Sequence, residues 1–123
     1  MLTREKRRTI TGSYPTVFEA CVRTIESFAP PSEQQSLLGT RRLLRIQAAQ
    51  AQAGNITAKV GNAWEVHLQV VEQEGKCAVS VQLQAAQQQA DPWGMMYRWI
   101  DEFFEALMRL TREIGSQGRG YID

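Results

Sequence analysis

From residue 43 to residue 85 the chain alternates apolar and polar residues almost without a break. No other feature constrains the fold as strongly. In LLRIQAAQ (43–50), Leu44, Ile46 and Ala48 fall on one side; in NITAKVG (55–61), Ile56, Ala58 and Val60 do so. WEVHLQVVEQ (64–73) aligns Trp64, Val66, Leu68 and Val70, and KCAVSVQLQA (76–85) aligns Cys77, Val79, Val81, Leu83 and Ala85. Successive side chains of a strand point to opposite faces, so a period of two describes strands with one face buried and one wet, the pattern of antiparallel sheets. The segments between the runs, Ala53-Gly54-Asn55, Gly61-Asn62 and Glu74-Gly75-Lys76, are short glycine turns of the hairpin kind. The spacing predicts a four-stranded meander. RTITG (8–12) is a candidate fifth strand at an edge. The polar face then carries Arg45, Gln47, Thr57, Lys59, Glu65, His67, Gln69, Ser80, Gln82 and Gln84.

On either side of this block the period is helical. In YPTVFEACVRTIESF (14–28), Val17, Cys21, Ile25 and Phe28 form an apolar stripe, Pro15 suits the first turn, and Glu19 and Arg23 are spaced to pair. Prolines at 30 and 31 end that helix, and the connector 30–41 offers Leu37 and Leu38 to the core. Asp91 is a good N-cap and Pro92 a good first residue for a final helix over about 92–114, with Met96, Ile100, Phe103, Leu107, Leu110 and Ile114 as its stripe and Gly115 as its stop. The fold class is therefore α+β: a four- to five-stranded antiparallel meander with an N-terminal and a long C-terminal helix on one face. Residues 1–115 form a single domain, in which 1–12 is a basic arm or an edge strand, and 116–123 is a flexible tail.

The stretch RTITGSYPTVFEACVRTIESF resembles the opening of helix-grip, START-like proteins: a strand, a short polar turn, then a helix. The closing helix MMYRWIDEFFEALMRL, following an antiparallel meander, is similar to theirs as well. The resemblance lies in element order over most of the chain. It implies a pocket between the sheet and the last helix, used for apolar ligands. Four strands are fewer than the family's deeply curved sheet, which leaves more room for a packed core than for a cavity.

Catalytic candidates are few. His67 is the only imidazole, on the polar face beside Glu65 and Gln69. Cys21 and Cys77 fall on apolar faces and should be inert thiols, since reactive ones need an exposed electropositive site. One His and two Cys are too few for a structural zinc site, and no pattern calls for a metal or cofactor. Asp101, Glu102 and Glu105 share the outer face of the last helix with Arg98, Arg109 and Arg112, as a solvated ion-paired face. No glycine-rich phosphate loop is present. The protein is expected not to be an enzyme.

Charge is unevenly placed. Residues 1–45 hold eight basic and four acidic side chains, and the remainder holds six basic and nine acidic ones. The basic arm Arg4, Lys6, Arg7 and Arg8 suits an acidic partner, but it lacks the interleaved aromatics of single-strand binders, which argues against nucleic acid. No apolar run approaches the roughly 20 residues that span a bilayer. The basic N-terminus has no apolar segment behind it, so a cytoplasmic protein is expected.

On the last helix, Phe104, Tyr97 and Met108 lie about 80–120° from the core stripe, at 100° per residue, with Trp93 above them. This strip is either covered by the first helix or the 30–41 connector or left exposed, and an exposed apolar strip marks an interaction site. The leading expectation is a non-catalytic accessory or assembly protein that docks on another protein. The docking would use Trp93, Tyr97, Phe104 and Met108, the glutamine-rich sheet face with Gln69 and Gln82, or both. A homodimer through a sheet edge or the glutamine face is a further possibility. The alternative is a carrier of a small apolar ligand between sheet and final helix, lined by Trp64, Leu68, Val81, Met96, Ile100 and Phe103.

Overall fold

The computed structural model describes residues 2–28, 44–60, 64–85 and 94–119. They form β1 (Leu2–Thr11), α1 (Tyr14–Ser27), β2 (Arg45–Gln50), β3 (Asn55–Val60), β4 (Trp64–Gln73), β5 (Lys76–Ala85) and α2 (Met95–Arg119). The five strands make one antiparallel sheet in the order β1-β5-β4-β3-β2. Both helices pack on one face of it, and α1 also packs on α2.

The alternating runs become strands because their apolar rows reach the same side. Val66 opposes Leu83, Leu68 opposes Val81 and Val70 opposes Val79, all buried under the helices. Thr24 and Thr111, the two buried polar side chains among the described residues, donate to the carbonyls of Ala20 and Leu107 at 2.7 Å and so leave no donor unmet. Helix α1 starts where Ser13, as N-cap, accepts from the Thr16 amide at 3.4 Å while its own carbonyl accepts from the Val17 amide.

One end of the β2–β3 hairpin needs glycine. Gly54 has φ of +73°, and a Cβ there would lie 2.2 Å from the carbonyl oxygen of Val70. Its backbone carbonyl accepts from the Val70 amide at 2.8 Å, which ties the turn to β4. Tyr14 on α1 donates its hydroxyl to the Ala51 carbonyl in the same turn.

Three sequence expectations are corrected. The strand reading for RTITG was too short: pairing with β5 runs from Leu2 to Thr11, so Arg4, Lys6, Arg7 and Arg8 belong to a strand and not to a loose arm. Ala48 does not share a face with Ile46, because a bulge at Gln47 shifts the register; Ala48 opposes Thr57 on the polar face and Ala49 opposes Ile56. Helix α2 does not stop at Gly115 but continues to Arg119, so residues 116–119 are helical. Gly115 has none of the positive φ that a terminating glycine adopts. The proposed cap Asp91-Pro92, the connector 30–41 with Leu37 and Leu38, and Trp93 lie outside the described residues.

Candidate functional site

With both helices on one face, the other face of the sheet has no element over it among the described residues. Register places its side chains in rungs across the strands. One rung runs Ala48, Thr57, His67, Gln82, Glu5; the next runs Gln50, Asn55, Gln69, Ser80, Arg7. These two rungs bound an open groove of about 470 Å³ that ends at the exposed strand β2. Gln69, exposed, and Gln82, half-buried, both line it. Gln82 accepts from the Gln84 amide at 2.8 Å, which orients its own side chain.

His67 sits at the centre of the groove wall. Its Nε2 is 3.2 Å from Glu65 Oε1, and its Nδ1 is 3.4 Å from the Thr57 hydroxyl. Lys59 lies 3.8 Å from the same Glu65 oxygen. Same-face neighbours two apart on a strand bring Glu65 and His67 together, as their spacing implies, and the cross-strand neighbours Lys59 and Thr57 complete the cluster. The ring lines the open groove and is held between two partners on the sheet face.

The α2 shoulder differs from its sequence reading. Phe104, one of the strip residues assigned to docking, is 0% exposed; Tyr97 is 41% exposed, and Met108 is half-buried against the core. The cover comes from β1. Opposing residues of a strand pair share a face, and Arg4, Lys6 and Arg8 oppose the buried Leu83, Val81 and Val79. The three cations therefore point toward the helices. Arg8 lies over the Phe104 ring at 5.2 Å, and Arg4 and Lys6 over the Tyr97 ring at 5.5 and 5.3 Å. Asp101, expected among the ion pairs of the helix's own outer face, pairs with β1 instead and stays partly solvated. Its carboxylate accepts from Lys6 at 2.8 and 3.0 Å and from Arg8 at 2.9 Å. The Lys6 hydrogen bond, helped by both positive charges, holds Asp101 below the usual carboxylate range against the opposing effect of burial. No helical wheel could show this, because the partners are more than 90 residues away; the signal was the period of two in Leu2, Arg4, Lys6, Arg8 and Ile10.

The other shoulder is closed by α1. Trp99 is 2% exposed, stacks on Phe103 at 5.6 Å and meets the edge of Phe28. The six residues expected to line a ligand pocket, Trp64, Leu68, Val81, Met96, Ile100 and Phe103, are all buried in one continuous cluster. Both thiols are buried in the same core, and burial pushes Cys21 up to about 12. Burial also raises the Cys77 thiol, and neither thiol is activated as a nucleophile.

A meander clamped between β1 and a long last helix, with α1 inserted after β1, is a shared architecture. The chain matches the crystal structure of an uncharacterised protein from Bacillus thuringiensis with a TM-score of 0.62 and 16% identity, over 89% of this chain and 98% of that one. It matches that of Ara h 8.0201, a Bet v1-like allergen, with a TM-score of 0.57 and 16% identity, over 91% and 98%. The architecture is helix-grip-like. At this identity the likeness shows the fold alone. No family model matches the chain, and no curated protein does. In this helix-grip-like protein no helix among the described residues is long and apolar enough to cross a membrane.

Proposed function

We propose that the protein acts by binding, as a non-catalytic accessory or assembly protein that docks another protein on the outer face of its sheet. The observation that carries this reading is the groove of about 470 Å³ across the uncovered strands, walled by Gln50, Asn55, Gln69 and Gln82. Each amide side chain offers both a donor and an acceptor, the complement of a peptide group. An extended polar segment of a partner fits such a wall, and few charges there keep the desolvation cost low. His67 engaged on an open face, and two thiols buried in the core, support binding over chemistry.

The helix-grip-like fold raises the second reading, a carrier of an apolar ligand. The burial of Trp64, Leu68, Val81, Met96, Ile100 and Phe103 against one another favours a packed core instead. The test is cross-linking of the protein to its bound partner in the native host, with Gln69→Arg and Gln82→Arg combined as the control. Cross-links should map to β3, β4 and β5 and be lost in the variant, whose melting temperature stays near wild type, as for other surface changes. Equal capture by the variant, or cross-links confined to α2, would remove the outer face from the account.

A further inference from the structure

We propose that two copies of the chain pair antiparallel through β2, joining their sheets into one ten-stranded sheet. Strand β2 is the last in the sheet order, and the backbone groups on its far side have no partner strand among the described residues. Such an edge is a template for another strand. Five of its six residues are exposed, and only Arg45 is charged. A second copy is the occupant that its charge and its faces both fit.

The faces select one register. Residues directly opposite across an antiparallel pair must point the same way. In β2, Arg45 opposes Lys59 on the polar face and Ile46 opposes Ala58 on the helix face; beyond the bulge Ala49 opposes Ile56 on the helix face and Gln50 opposes Asn55 on the polar face. The strand therefore reads polar face, helix face, bulge, helix face, polar face. Turned about a twofold axis, Arg45 meets the second copy's Gln50, and Ile46 meets its Ala49. Every opposed pair outside the bulge then agrees in face. A regular six-residue strand could not do this, since residues 46 and 49 would point to opposite sides. A bulge usually blunts an edge; here it makes the strand match itself. No like charges meet, and the small Ala49 leaves space for Ile46, which is half-buried in the single chain. The two outer-face grooves, each ending at Ala48 and Gln50, become one.

The register makes position 50 diagnostic, because it faces Arg45 of the second copy and is exposed. Sedimentation velocity of the full chain over a concentration series should show a monomer–dimer equilibrium. Gln50→Glu should tighten it and Gln50→Lys weaken it, each by up to about 25-fold, because the twofold axis places two such pairs in the dimer and each cross-strand charge pair is worth up to about fivefold. Circular dichroism on both variants checks that they stay folded. A chain that remains monomeric throughout the series overturns the proposal. So does a dimer that responds to the two substitutions equally or not at all, since its interface lies elsewhere. Neither result bears on whether a partner protein binds the groove of a single chain.

Discussion

At one edge of the sheet, β1 runs ten residues and carries four cations; at the other, β2 runs six and carries one. The alternate cations of β1 turn inward and are fixed on Asp101 and on the rings of Tyr97 and Phe104. A strand added there would set its own inward residues against that positive row. Inward-pointing charge is a known way of closing an edge. Among the described residues the β2 edge has no such device. It is nearly neutral, mostly glutamine and alanine, and is held by its pairing with β3 and by α1, while its hairpin turn is tied to β4 at Gly54. One sheet thus has a closed side and an open side, and the open side continues into the groove.

Four changes sharpen or break this contrast. The largest effect is expected at the closed edge, where Phe104 carries Arg8 over a fully buried ring. Phe104→Ala should cost about 3–5 kcal/mol in urea denaturation, the usual result of emptying a packed aromatic site. A cost under about 1 kcal/mol would mean that the ring is not part of the core. Next comes the turn that holds the open edge. Gly54→Ala should cost roughly 2–3 kcal/mol, since it adds a positive-φ strain to a backbone collision. Gly75→Ala, with a similar φ of +80° but open space around it, should cost only about 1 kcal/mol. Equal costs would detach β2 from the Gly54–Val70 contact.

The Asp101 clamp is half in solvent, so Asp101→Asn should destabilise by no more than about 1 kcal/mol. Its pH dependence has a defined sign. A carboxylate whose folded value is depressed adds stability that is complete above its unfolded value of about 3.9 and is lost as pH falls through the folded one. Thermal melts should therefore show the wild type's advantage over Asp101→Asn at pH 6 and its disappearance in strong acid. An advantage that grows on acidification would mean that Lys6 and Arg8 do not hold the carboxylate.

Much of this was legible in the sequence, for a physical reason. Strands β3, β4 and β5 alternate large apolar residues with polar ones, so their limits and faces follow from pattern alone. In β2 the residues after Ile46 are Gln, Ala, Ala and Gln, and alanine is too small to report which side it faces. The bulge was hidden for that reason. On β1, charge concealed the strand, because inward cations invert the usual pattern. Their anchor, Asp101, resembled any other acid on a charged helix until β1 was laid beside it. Phe104 was misplaced by the same omission, since a wheel for α2 docked only on the central strands leaves that shoulder bare. The glutamine face, by contrast, could be read directly, and Gln69 and Gln82 lie on it.

Amide hydrogen exchange followed by mass spectrometry at low and high protein concentration tests the contrast between the edges most directly. Peptides covering Arg45–Gln50 should gain protection as concentration rises, while those covering Leu2–Thr11 should not change. Protection gained at β1, or at neither edge, would contradict it.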